Sequence, residues 1–434
     1  MSERTVCVTG IGIVSPVGNT REEAWKNIVQ GVSGTDYISQ FDASQWPTRI
    51  ACEVKDFHLD KKAFHDGSLL NRSNEFGMQS AYEAMVDSGL SDILESKNNP
   101  IDPYRFGVSV GVGIGTIAPQ ELATLLRGTD FHSTDDFKLA SSLEKTVNSK
   151  LLMKNHPGMF AGWLASRWNL RGPTSTIHTA CASSGQSLGQ AYLQIKRSEA
   201  DIMLAGGADS LAGELLLAGF CLLGALSTRN DEPARASRPF DRDRDGFVAS
   251  EGASMLVLEE KEHALRRGAH IYAEVVGYGE TQSAYRITDL PPDGRGVKEA
   301  MEDALVQAGM VHSDIDYINA HGTSTELNDR IEALAISKVF SSRGCFPYIN
   351  STKSETGHLI SAAGALEASF SILSIRDSVI PPSINLDHPD CGKSEYGDLR
   401  FVANKKLNYP VKVAMSNSVG FGGTNTSLIF KGID

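Results

Sequence analysis

A chain of 434 residues, 41% of them hydrophobic, can bury one large core or two ordinary ones. Its net charge of −12, with no basic tail, argues against nucleic acid as a partner. The six cysteines stand far apart without a CxxC pair, which indicates neither a disulfide framework nor a metal cluster.

Strand-like runs begin at Cys7 to Thr9 and recur at Phe106 to Val110, Thr174 to Thr179, Ile202 to Ala205, Met255 to Leu258 and Ala273 to Val276. They continue at Ile315 to Asn319, Val411 to Met415 and Ser427 to Phe430. Helical runs fall between them at Thr20 to Val29, Glu75 to Ser88, Ala182 to Arg197, Val297 to Ala308, Leu327 to Phe340 and Ala362 to Ile375. That alternation predicts an α/β architecture of mixed sheets covered by helices. The first run carries Gly10-x-Gly12, which could suggest a dinucleotide loop. Ser15 takes the place of its third glycine and Pro16 follows, so the helix that would hold a pyrophosphate is compromised. No signal-peptide pattern opens the chain. Its longest uncharged apolar run, Leu215 to Leu226, falls well short of the ~20 residues needed to span a bilayer. A soluble cytoplasmic enzyme, with neither membrane nor nucleic acid as partner, is the expected class.

Cys181 lies where the Thr174 to Thr179 run gives way to a helix. Backbone N–H donors and the positive end of the helix dipole both favour thiolate there. Small neighbours, Ala180, Ala182, Ser183 and Gly185, let a substrate carbonyl approach the backbone. A buried packing cysteine is the plainer reading of such a residue taken alone. His321 and His358 each sit on a turn of Gly and hydroxyl residues. Such settings suit a ring near its ordinary pKa that exchanges a proton near neutrality. Neither stands in an HExxH pattern, so zinc ligation is a poor reading. A fourth turn, Gly420-Phe421-Gly422-Gly423, can point backbone N–H groups at a ligand.

Together these segments resemble the β-ketoacyl-acyl carrier protein synthases of the elongating type, the KAS I and KAS II branch. The family's Cys-His-His set matches Cys181, His321 and His358, its lysine matches Lys353, and its GFGGTN turn matches Gly420 to Asn425. Further matches include Ala205 to Asp209, Leu226 to Asn230 and Arg238 to Phe247, so the likeness spans nearly the whole chain. The resemblance implies the thiolase fold, two similar halves stacked as five α-β-α-β-α layers. Its halves would be 1–268 with the cysteine and 269–434 with both histidines. The chain shows no obvious internal repeat.

The resemblance also implies a decarboxylating Claisen condensation by an acyltransferase. Cys181 carries the acyl group, and the backbone N–H groups of Cys181 and Phe421 form the oxyanion hole. His321 and His358 hold the malonyl thioester oxygen as it becomes an enolate. Lys353 pairs with Glu367, Thr323 and Thr325 bind pantetheine amides, and Asp329 orders its loop. Phe421 is a gate given freedom by Gly420 and Gly422, and Ile114 marks the end of the acyl pocket. No cofactor is implied beyond the 4′-phosphopantetheine of the acyl carrier protein. That carrier, in acyl and malonyl forms, is the expected partner, with Arg72 and Arg229 the basic residues left for its contact. The family assembles as a homodimer, and a heterodimer with a chain-length-factor-like subunit is compatible with the sequence.

The chain departs from the family in several places. Between Gly115 and Pro173 it is longer than common fatty-acid members and carries Asp130 to Asp136, then Asn155 and His156, which could make a more polar tunnel. Val419, Ser254 and Ser361 are further departures. These leave a type II polyketide or polyene ketosynthase as an alternative to a fatty-acid enzyme. A degradative thiolase would need a second cysteine where Phe421 stands, and the priming branch uses Asn at His358. A non-catalytic chain-length factor normally lacks the nucleophilic cysteine, which is present here.

Overall fold

The computed structural model describes residues 4–64, 67–113, 149–390 and 398–433, with isolated positions between 114 and 148. Ile114 and the Asp130 to Asp136 stretch lie outside the described residues. Ten strands form the body of one sheet. They are β1 (Val6–Val14), β2 (Phe106–Val112), β3 (Thr174–Ile177), β4 (Ile202–Ser210), β5 (Glu251–Glu260), β6 (Ala273–Gln282), β7 (Tyr317–Asn319), β8 (Tyr348–Asn350), β9 (Val413–Val419) and β10 (Thr424–Lys431). The main helices are α1 (Arg72–Asp87), α2 (Ser183–Lys196), α3 (Arg295–Ala308), α4 (Glu326–Val339) and α5 (Ala363–Asp377).

The first five strands run in the order β1-β5-β4-β2-β3, and the second five repeat it as β6-β10-β9-β7-β8. Each half pairs its first, fifth and fourth strands antiparallel and its fourth, second and third parallel. The halves join where β1 runs antiparallel to β6, Val6 opposite Val275 and Val8 opposite Ala273. The duplication is therefore one of topology, the thiolase fold in two similar halves.

Helices α2 and α5 touch strands of both halves and form the central layer. Every residue of α5 from Ala363 to Ser374 is buried, and all are apolar or small except Glu367, which pairs with a buried lysine, Lys353. The two helices approach closely at Gly185 and Gly364, where a Cβ on Gly364 would lie 2.7 Å from the Gly185 nitrogen. That crossing sets the N-terminus of α2 beside that of α5. The outer layers are α1, packed on β1, β5 and β4, and α3, packed on β6 and β10. Three large apolar clusters fill the spaces between these layers.

Gly10 and Gly12 lie inside β1, which is buried along its length. A Cβ at either would strike a carbonyl oxygen of α1, at Ala84 or Ser80. They serve close helix-on-strand packing rather than a phosphate. The departure Ser254 is buried between layers, its hydroxyl 2.9 Å from that of Ser369 on α5. Among the described residues no helix is long and apolar enough to cross a membrane.

Candidate active site

Cys181 stands on a 3-10 turn, Ala180–Ala182, that leads from β3 into α2. The residue before it, Ala180, has φ +48°, a left-handed conformation that costs a non-glycine residue about 1–3 kcal/mol. Ser183 secures the turn: its Oγ accepts from the Thr179 N–H at 2.9 Å and donates to the Ala180 carbonyl at 2.7 Å. The strained elbow presents Sγ toward the second half of the molecule.

His358 meets it there, with Nε2 3.1 Å from Sγ. Its backbone N–H donates to the Val248 carbonyl at 2.9 Å, and Phe247 packs edge-on against the ring at 5.4 Å. His321 completes the set, its ring centre 5.2 Å from that of His358 and nearly perpendicular to it. Lys353, almost fully buried, places Nζ 3.3 Å from His321 Nδ1 and forms a very short ion pair with Glu367. With Nδ1 facing an ammonium donor, His321 carries its proton on Nε2. The pairing of Lys353 with Glu367 on α5 follows the expectation from sequence.

The electrostatics correct two expectations. Burial, the Lys353 charge and, for His321, the neighbouring ring hold both imidazoles well below their ordinary pKa. Both are neutral at pH 7, not poised near it. Burial also pushes the Cys181 thiol up to about 12, against the opposing pull of Lys353 and of the Phe421 and Cys181 backbone N–H groups. The stabilisers of thiolate foreseen in the sequence are present, but desolvation outweighs them. The resting pair is thus a thiol donating to a neutral His358.

Loops behind the site hold it in place. Glu332 on α4, which the sequence reading missed, accepts the backbone N–H groups of His321 and Gly322, both at 2.8 Å. A carboxylate between Ile331 and Ala333 on a core-facing helix was the available signal. Asp329 accepts from Ser324 N–H at 3.1 Å and Phe240 N–H at 2.8 Å, two residues in left-handed backbone, and so orders the loop as expected. The Thr323 and Thr325 hydroxyls lie 2.9 Å apart on the wall of a cavity that also opens on Cys181, both histidines, Gly420 and Phe421. Phe421 is over one-third exposed, with Gly422 and Gly423 after it at φ +86° and +90°.

The remaining candidates have partners of their own. Arg72 clamps the fully buried Glu251 through two hydrogen bonds of 2.5 and 2.8 Å, while its side chain stays over one-third exposed. Arg229 donates to the Asp243 carbonyl at 3.1 Å and lies 4.0 Å from Glu232, bracing its own turn. His156 is exposed and caps the helix Pro157–Trp168, accepting from Gly158 N–H, while Asn155 donates to the Leu151 carbonyl. Neither lines a described cavity near Cys181.

Cys181 Sγ and nitrogens of both histidines lie within 4.8 Å of one another, a set that could also hold a metal ion. Tetrahedral zinc would keep its sulfur and nitrogen ligands about 3.5 Å apart. The 3.1 Å contact between Cys181 and His358 suits a hydrogen bond better.

Comparison with known proteins agrees with this geometry. Residues 3–264 match the family model of the beta-ketoacyl synthase N-terminal domain, and residues 272–387 that of the C-terminal domain. The chain is 41% identical over 433 residues to a 3-oxoacyl-[acyl-carrier-protein] synthase 2 of Coxiella burnetii, covering 99% of each. It is 42% identical over 436 residues to that of Vibrio cholerae, covering 99% of this chain and all of the relative. Among solved structures, a beta-ketoacyl synthase from Burkholderia phymatum superposes with TM-score 0.87 at 32% identity, over 99% of this chain and 100% of that one. The ishigamide ketosynthase/chain length factor superposes at TM-score 0.84, also at 32% identity and over the full length of both chains.

Proposed function

The chain belongs to the β-ketoacyl synthase family, and from that premise we propose that it is a 3-oxoacyl-acyl carrier protein synthase of fatty-acid elongation. The observation that carries this reading is the hydrogen bond from Cys181 to neutral His358, with His321 beside them and Lys353 behind.

In the first half-reaction the Cys181 thiol gives its proton to His358 Nε2. Sulfur attacks the carbonyl of an acyl thioester on the carrier's phosphopantetheine arm. The bond to the pantetheine sulfur breaks, and that sulfur leaves with the proton. The Cys181 and Phe421 backbone N–H groups, both directed at Sγ, receive the oxyanion. In the second half-reaction malonyl carrier protein replaces the spent carrier, and Thr323 and Thr325 hold its pantetheine arm. The bond between the malonyl carboxylate and the α-carbon breaks, carbon dioxide leaves, and the electron pair remains as an enolate. Neutral His321 donates its Nε2–H to the enolate oxygen, and His358, whose Nε2 no longer faces a thiol once Cys181 is acylated, donates to it in the tautomer with the proton on Nε2, a role that charged rings are not needed for. The carbanion attacks the acyl carbon, the bond to Cys181 breaks, the sulfur leaves as thiolate and takes up one proton from solvent, and 3-oxoacyl carrier protein departs. Phosphopantetheine arrives with the substrate, so no resident cofactor enters the scheme.

The polyketide reading keeps one observation in its favour. The solved structures similar to this chain include, besides the ishigamide protein, a type II ketosynthase bound to its carrier protein and a hexaketide, at 32% identity and TM-score 0.83. The partner in either pathway is an acyl carrier protein, and a dimeric assembly, with itself or with a related subunit, goes with both.

Intact mass after incubation with acyl carrier proteins of varied length tests the reading. A gain of one acyl group on Cys181 is expected, and stoichiometric acylation of Cys181→Ala would overturn the assignment.

A further inference from the structure

Past its first residue, the helix Glu214–Leu222 is apolar on every side, and from Leu215 to Thr228 the chain carries no charge. A helix of that kind belongs inside a core, yet only one face of this one is packed. Leu216, Leu217, Phe220 and Cys221 join the apolar cluster around Cys181, with Phe220 edge-on to Phe247 at 5.3 Å. The opposite face, Leu215, Gly219 and Leu222 at helical spacing, is exposed, and Leu223 continues it. Leu222 is 90% exposed.

The patch adjoins the active site. Ala225, two residues past Leu223, lines the cavity that reaches Cys181 and both histidines, and Ile287, 80% exposed, lines it too. The Ile287 carbonyl accepts from Gly422 N–H at 2.7 Å, which ties this second apolar side chain to the Phe421 turn. Single exposed leucines are ordinary on a protein surface, whereas apolar side chains gathered at one opening mark a contact with another molecule. Cations offer little there. Arg286, next to Ile287, pairs with Asp289 at 3.1 Å, and Arg229 lies 4.0 Å from Glu232. Cys181 is almost fully buried, so a thioester reaches it on an arm whose far end stays bonded to the carrier. The carrier body then rests on the surface around the opening.

We infer that the acyl carrier protein is held there by apolar contact with Leu222, Leu223 and Ile287 rather than by paired charge. The matching carrier face presents apolar side chains around the residue that bears the arm. This contact rests on the ketosynthase reading, which brings a carrier to the opening.

The test uses the full-length enzyme and one acyl group presented in two ways, on pantetheine alone and on the acyl carrier protein that loads Cys181 fastest. Leu222→Ser combined with Leu223→Ser should lower kcat/KM for the carrier-borne group about tenfold, as expected when a leucine no longer buries its surface. The rate from acyl pantetheine and the elution volume in gel filtration should not change. Leu222→Met with Leu223→Met should keep the carrier rate within about twofold. Raising salt from about 0.05 M to about 0.5 M should leave the wild-type KM for the carrier within about twofold, because screening weakens charge pairs and not apolar contact. Equal carrier rates in the wild type and the serine variant, or a KM that climbs steeply with salt, would overturn the inference and leave the ketosynthase reading standing. A changed elution volume in the serine variant would also overturn it, assigning the patch to a second copy of the chain. No loading of Cys181 from either donor would overturn both.

Discussion

Cys181 and Ser361 occupy the same place in the two halves of the molecule. In each half the third strand leads to a residue with left-handed backbone, Ala180 at φ +48° or Ile360 at φ +43°. A 3-10 turn and a central helix follow. Even the local sequences correspond: His178-Thr-Ala-Cys181-Ala182 in one half and His358-Leu-Ile-Ser361-Ala362 in the other. Yet only one elbow carries the chemistry. After β3 the chain reaches His178 at once, whereas after β8 it inserts Ser351 to Gly357, with a short helix, Lys353–Thr356. That insertion brings in Lys353, and His358 stands buried against Cys181, while His178 stays exposed and bonded to a backbone carbonyl. The duplicated fold provides two presentation sites, and one thiol and one inserted turn decide which becomes the nucleophile.

Substitutions sharpen that contrast. The largest effect is expected from Cys181→Ala, which should abolish acyl-enzyme formation, while Ser361→Ala should still acylate with its mass gain on Cys181. A mass gain on Ser361 in the wild-type enzyme would break the distinction between the elbows. Next is His358→Ala, which should slow condensation about 10²–10³-fold through loss of one donor to developing charge. Carbon dioxide release from malonyl carrier protein measures it directly. Lys353→Met leaves Glu367 buried without its partner and should cost about 3–5 kcal/mol of stability, read from urea denaturation. Ser183→Ala, which removes both hydrogen bonds from the strained elbow, should cost about 1–2 kcal/mol and slow acylation.

The smallest effect is one of pH. The folded-state pKa values of His321 and His358 are depressed below the ordinary 6.5, so the stability they contribute is present above pH 6.5 and lost as pH falls. A plot of urea midpoint against pH should therefore slope more gently below pH 6.5 in His358→Gln than in the wild type. Equal slopes would mean that the ring is no harder to protonate in the folded state.

Much of this was legible in the sequence because the signals were local. Runs such as Ile202 to Ala205 and Ala362 to Ile375 carry their own strand or helix preference, and the structure extends them by a few residues. The motifs around Cys181, His321, Lys353 and His358 were likewise complete within a few positions. What stayed hidden depends on distance in the chain. Glu332 matters because α4 folds back over His321, Arg72 is occupied because Glu251 lies beneath it, and the histidines are neutral because the whole core surrounds them. The two halves were expected only from the family resemblance, because their repeat is one of strand order, apart from a few residues at the two elbows.

The central claim is that Cys181 and the two histidines perform one coupled condensation. Acyl-loaded enzyme mixed with malonyl carrier protein labelled in its free carboxylate tests it in a single measurement of carbon dioxide and product mass. The account predicts one carbon dioxide for each 3-oxoacyl chain, two carbons longer than the acyl group loaded, with Cys181 returned free. Carbon dioxide released without chain extension, or an acyl group that stays on Cys181, would contradict it.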